Sequence, residues 1–88
     1  MDVIIRVFGP SPPCAKCQAA EKVAREVAQK FGEATVEKCD IFSEEAEKYN
    51  LMMAPTVMVN NIVLEVGKVP SAEKLERAVR DALNSQNP

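Results

Sequence analysis

The feature that most constrains this chain is a change of apolar period at Cys14. Val3 to Phe8 is a short apolar run rich in β-branched residues, and Gly9-Pro10-Ser11-Pro12-Pro13 then stops it. This reads as a buried strand followed by a loop. From Cys14 onward the spacing becomes helical, with Cys17, Ala20, Ala24, Val27 and Phe31 three or four residues apart. Lys16, Glu21, Lys22, Arg25, Glu26 and Gln29 fill much of the opposite side, and Gly32 stands where a C-cap is expected. A strand feeding directly into an amphipathic helix calls for a second strand parallel to the first, reached by a right-handed crossover.

The remaining pattern supplies that strand and four more elements. Thr35 to Phe42 carries Val36, Cys39, Ile41 and Phe42 as its apolar members. Ser43 is a suitable N-cap for a short helix through Ala46 to Tyr49, with Glu44 and Glu45 placed to suit its positive end. Leu51-Met52-Met53-Ala54 connects to a strand opened by Pro55. The β-rich runs Thr56 to Val59 and Ile62 to Val66 are separated only by Asn60-Asn61. Asn tolerates positive φ, so this predicts a two-residue hairpin. Gly67-Lys68-Val69-Pro70 interrupts the pattern, and Ser71 caps a last helix with Leu75, Ala78, Val79, Ala82 and Leu83 on its apolar face. The expected class is α/β, in the order β-α-β-α-β-β-α, with a four-stranded mixed sheet and helices on both faces. The 88 residues suffice for one domain, residues 1–88, with residues 83–88 expected to fray.

Two thiols at the helix start are the candidate chemistry. Cys14 and Cys17 are one turn apart on a shared face, close enough for a disulfide. A loop that short gains little from closure, so the bond opens and closes readily. The amides of the helix end favour a thiolate. Lys16 either adds a positive charge there or is simply a solvated helix residue.

Composition excludes several alternatives. A net charge of −2 does not favour nucleic acid or an acidic membrane surface as partner. No apolar run approaches the roughly 18 residues of a membrane span. Met1-Asp2-Val3-Ile4-Ile5-Arg6 does not read as a secretory signal, and three cysteines do not make a disulfide scaffold. A cytoplasmic protein with reduced thiols and a monomer is expected. The competing reading of the thiols is a metal-binding module, Cu(I)- or Zn-type, using Cys14 and Cys17. A metallochaperone needs the order β-α-β-β-α-β, whereas this pattern ends in a helix. Structural zinc needs four ligands, and only Cys39 could join the pair. Cys39 itself reads as a core strand residue. Met52 and Met53 read as core packing or, second, as an adaptable contact surface.

With Cys14-Ala15-Lys16-Cys17 after the first strand, Ala54-Pro55-Thr56 before the third and Gly67 after the fourth, the chain resembles the thioredoxin-like superfamily, particularly its short thioredoxin and glutaredoxin-like members. The resemblance spans Val3 to Leu83. It implies a cis peptide before Pro55, backbone groups of Ala54 offered to an extended substrate segment, and room left by Gly67. The implied substrate groove is lined by Pro13, Ala54, Pro55 and Gly67.

The chain departs from the thioredoxin pattern at Pro13, at Lys16 and near Phe8, and its region 67–72 looks more like thioredoxin than glutaredoxin. Pro13 and Lys16 replace the usual aromatic residue and proline. The family's buried acid would fall near Phe8, where there is none, which leaves Lys38 or Asp40 as candidate proton acceptors for Cys17. Gly67-Lys68-Val69-Pro70-Ser71-Ala72 lacks the glutathione-holding Gly-Gly and acidic pair of glutaredoxins. The implied activity is thiol-disulfide exchange on protein disulfides, with Cys14 as nucleophile and Cys17 as resolving thiol. It needs no metal or organic cofactor, but does need an external reductase or thiol electron donor.

Overall fold

A computed structural model describes residues 3–10, 14–49 and 53–85. The elements follow the expected order: β1 (Val3–Gly9), α1 (Ala15–Lys30), β2 (Ala34–Asp40), α2 (Glu44–Lys48), β3 (Thr56–Val59), β4 (Ile62–Val66) and α3 (Ala72–Ser85). The four strands form one mixed sheet in the order β2-β1-β3-β4. β1 runs parallel to β2 and antiparallel to β3, and β4 returns antiparallel to β3.

Side-chain alternation along the central strands divides the core in two. Val3, Ile5 and Val7 of β1 and Val57 and Val59 of β3 meet Ala20, Ala24 and Val27 of α1 and Leu75, Val79 and Ala82 of α3. Phe8 and Met58 point to the other face, where Ala46 of α2 covers them with Cys39, Ile41 and Tyr49 packed alongside. Helices therefore lie on both faces, two on one and a single short one on the other. Cys39 is half-buried in this second cluster, as a small hydrophobe in a strand should be.

The expected caps hold at two helices and fail at one. Ser43 Oγ accepts the N–H of Ala46 at 3.3 Å, and Ser71 Oγ accepts that of Lys74 at 3.1 Å. Gly32 is not the C-cap of α1. The helix ends one residue earlier, with Phe31 in the extended region and its carbonyl accepting Ala34 N–H at 2.9 Å. The chain can turn there without a left-handed residue because Phe31 stays anchored on the core.

β2 also ends earlier than its apolar pattern indicates. Asp40 accepts Phe42 N–H through its carboxylate at 2.9 Å and Ser43 N–H through its carbonyl at 3.0 Å, forming a side-chain-closed turn. The strand stops at that turn, and Phe42 is 85 % exposed rather than a strand core residue. The Asn60-Asn61 hairpin forms as expected, with Asn60 at φ 54°. Asn60 also bonds back to β1, donating its N–H to Ile4 O at 2.8 Å and accepting Ile4 N–H on Oδ1 at 3.0 Å. α3 runs on through Leu83 to Ser85.

Candidate active site

The C-terminal ends of β1 and β2 and the start of β3 gather at one edge of the sheet, and α1 begins there. Phe8 of β1 pairs with Thr56 of β3, so Gly9 and Pro55 lie one residue beyond that rung on neighbouring segments. Gly9 O accepts Ile41 N–H at 3.0 Å, which holds the turn after β2 to the same edge.

Cys14 is the N-cap of α1, with extended backbone at φ −76° and ψ 169°. Its Sγ accepts Cys17 N–H at 3.2 Å and its carbonyl accepts Gln18 N–H at 2.9 Å. The sulfur thus fills the place of a capping oxygen, at the end of the helix where free amides and the dipole favour negative charge. The first turn of α1 carries no acid to oppose this.

Cys14 is exposed and Cys17 is buried, and both are free thiols. The Cys14 thiol is held below its ordinary value, first by a hydrogen bond from the Cys17 side chain and next by the Cys17 amide. Lys16 contributes through its backbone N–H. Cys17 is pushed the other way, first by burial and then by the sulfur of Cys14. The accessible thiol is thus the more readily ionised of the two and the covered one the less so.

Neither Lys38 nor Asp40 acts on Cys17. Lys38 Nζ stands 4.0 Å from Glu21 Oε2, and Asp40 is occupied in its own turn. Both were candidates only because they sit on the neighbouring strand. The Cys14 sulfur is the neighbouring side chain that acts on the Cys17 thiol.

The proposed groove residues sit at the same edge. The Ala54–Pro55 peptide is cis and Pro55 is fully buried. Pro55 O accepts Gly67 N–H at 2.8 Å, fastening the residue after β4 to the start of β3. Gly67 has φ +73°, a conformation that L side chains rarely adopt. Pro13 lies outside the described residues, as does Met52.

Sequence reasoning undervalued two residues. Met53 is 57 % exposed and lies across Gly67, its Cε 2.9 Å from where a Cβ on Gly67 would stand. Its core reading fails and the contact-surface reading remains. Gly9 was taken only as the end of a strand, yet a Cβ there would stand 2.9 Å from Cys17 Sγ and 3.3 Å from Cys17 Cβ. Its signal in the sequence is a glycine inside the strand pattern shortly before the thiols, which marks a close approach.

The sequence model of the thioredoxin domain matches residues 3–80. The chain belongs to the thioredoxin family. A probable thioredoxin of Methanothermobacter thermautotrophicus is 41 % identical over 86 residues, covering 94 % of this chain and 99 % of that protein. The thioredoxin of Methanocaldococcus jannaschii is 34 % identical over 76 residues, covering 83 % and 88 %. Among solved structures, thioredoxin-2 of a malaria parasite superposes with a TM-score of 0.69 over 91 % of this chain and 82 % of its own. Its 20 % identity speaks for the fold alone.

As a thioredoxin-family member the chain is a thiol-disulfide oxidoreductase, and Cys14 and Cys17 form the close CxxC pair that such chemistry uses. Thioredoxins act on disulfide substrates together with a reductase. Among the described residues, no three His, Cys, Asp or Glu side chains stand together as a metal site. None of the described helices is long and apolar enough to cross a membrane.

Proposed function

We propose that this thioredoxin-family chain reduces protein disulfides, with Cys14 as attacking thiolate and Cys17 as resolving thiol. One observation carries the reading: an exposed cysteine sulfur caps the helix by accepting the backbone N–H of a second, buried cysteine one turn on. The Cys14 thiolate attacks one sulfur of the substrate disulfide and releases the other as a thiolate. Cys17 then attacks Cys14, the Cys14–substrate bond breaks, and the second substrate sulfur leaves as a thiol with the Cys17 proton. The protein ends with a Cys14–Cys17 disulfide, having given two electrons to the substrate. An external reductase or thiol donor restores the dithiol.

The extended segment carrying the substrate cysteine docks along Ala54, Pro55 and Gly67. β3 and β4 bring these three together through the Gly67–Pro55 hydrogen bond. We place the protein in the cytoplasm as a monomer of a single domain, since a reducing compartment keeps both thiols in the state that acts.

The test is trapping. The Cys17→Ser variant should hold a disulfide-bearing protein such as reduced-and-reoxidised insulin in a covalent adduct that dithiothreitol dissolves. The Cys14→Ser variant should hold none. Adducts on Cys14→Ser alone would reverse the roles. Tight stoichiometric zinc or Cu(I) binding by the reduced protein, without disulfide reduction, would favour the metal-binding alternative.

A further inference from the structure

Gly9 is a glycine for reasons of space rather than of backbone conformation. Among the described glycines, Gly67 alone has positive φ, so a side chain at position 9 meets no backbone strain. The residue is also regular in its strand, paired with Asp40 across the β1–β2 ladder. What a side chain would meet there is Cys17: its Sγ at 2.9 Å, closer than real Cβ atoms come, and its Cβ at 3.3 Å. The buried sulfur is 3 % exposed at the residue level and lies in the hollow that the missing side chain leaves.

We propose that Gly9 is the positioning residue for the resolving thiol. Its bare Cα holds Cys17 Sγ in the rotamer that faces Cys14, and so sets the rate of the second exchange step. The inference rests on the roles assigned above. The strand backbone at Gly9 confines that sulfur on one side, and the Cys17 amide ties its residue to the Cys14 cap. A methyl group at position 9 cannot be relieved by moving the far end of a long flexible chain, because Cys17 has none. The sulfur must turn to another χ1 well, or α1 must lift away from β1. Both responses spoil the line from Cys17 Sγ through Cys14 Sγ to the departing substrate sulfur. The first step is compared in a Cys17→Ser background, where the Cys17 thiol is absent from parent and variant alike, so it reads only the exposed Cys14 sulfur and its cap on the residue-17 amide.

The experiment separates the two steps in Gly9→Ala. The first is the rate at which Cys14 attacks 5,5′-dithiobis(2-nitrobenzoate) in a Cys17→Ser background. The second is the rate at which a preformed Cys14–thionitrobenzoate adduct expels its thiol when Cys17 is present. The expected result is a first step within twofold of the parent and a second slowed at least about tenfold, the scale of effect that sub-ångström to ångström misplacement produces. The slowed variant should also accumulate a covalent adduct with reduced-and-reoxidised insulin that the parent resolves.

A purely structural effect is distinguished by the melting temperature. Gly9→Ala should lower it with Cys17 present and much less in Cys17→Ala, where the clashing sulfur is gone. An unchanged second step in a folded Gly9→Ala protein overturns the inference, and so does equal slowing of both steps. If the parent itself never expels the adduct thiol, the assignment of Cys17 as resolving thiol has failed instead.

Discussion

Cys14 Sγ accepts the backbone N–H of Cys17 at 3.2 Å, so one sulfur both caps the helix and serves as the exposed redox group. The two duties are coupled: whatever holds the cap also holds the thiolate. A bond to a substrate sulfur removes the charge and weakens the cap, which gives the helix start a stake in the redox state.

The pH dependence of alkylation follows from this pairing. Cys14 is held below its ordinary value chiefly by the Cys17 side chain, so its thiolate forms at lower pH than that of an unperturbed cysteine. Its iodoacetamide rate should reach half its plateau at lower pH than that of Cys17, which burial pushes up. Replacing Cys17 with Ala removes the leading cause and should move the Cys14 midpoint upward. Rapid alkylation followed by peptide mass spectrometry reads both curves. An unmoved midpoint would mean the helix amides alone set the thiolate.

The cap predicts a stability difference between two equally inactive variants. Cys14→Ser keeps an acceptor for the Cys17 amide, whereas Cys14→Ala leaves it to water. Urea unfolding should find the Ala variant less stable by about 1 kcal/mol, the usual worth of an N-cap side chain.

Gly67 and Met53 should separate backbone strain from contact. Gly67→Ala places a side chain at φ +73° and should cost about 1–2 kcal/mol. Trimming the neighbour in a Gly67→Ala/Met53→Ala pair should recover only the part due to its Cε. Met53→Ala alone is an exposed change and should stay within about 0.5 kcal/mol of the parent. Its effect belongs instead in turnover: a higher KM for a protein disulfide than for a small one such as cystine, with kcat little altered.

On the α2 face, Phe8 and Met58 are fully buried beneath a helix of five residues. Phe8→Ala should cost about 3–5 kcal/mol. Domains of this size hold roughly 0.05–0.15 kcal/mol per residue, so that loss takes a large share of the total. Denaturant titration should show a much lower midpoint or a chain already unfolded.

The period change at Cys14, the hairpin at Asn60 and the capping by Ser43 and Ser71 were legible because each is a local pattern with one physical cause. Together with Pro55 and Gly67 they suffice for the fold and for the edge of the sheet where the dithiol sits. Errors arose where a side chain competed with the pattern. Phe42 looked like strand because apolar residues preceded it, but the Asp40 carboxylate closed a turn first. Gly32 looked like a cap, but Phe31 was held on the core and ended the helix without it. Gly9 was least legible: a glycine that leaves space names no neighbour, and Cys17 becomes that neighbour only once α1 is laid against β1.

The attachment of Asn60 to Ile4 bears on how this protein can be engineered. Hairpin tips normally accept inserted peptides with little penalty. This one is stitched by two hydrogen bonds to the opening of the first strand, so a tag placed between Asn60 and Asn61 would unpick that strand's start at the edge remote from the thiols. Grafting there trades away the scaffold's anchorage.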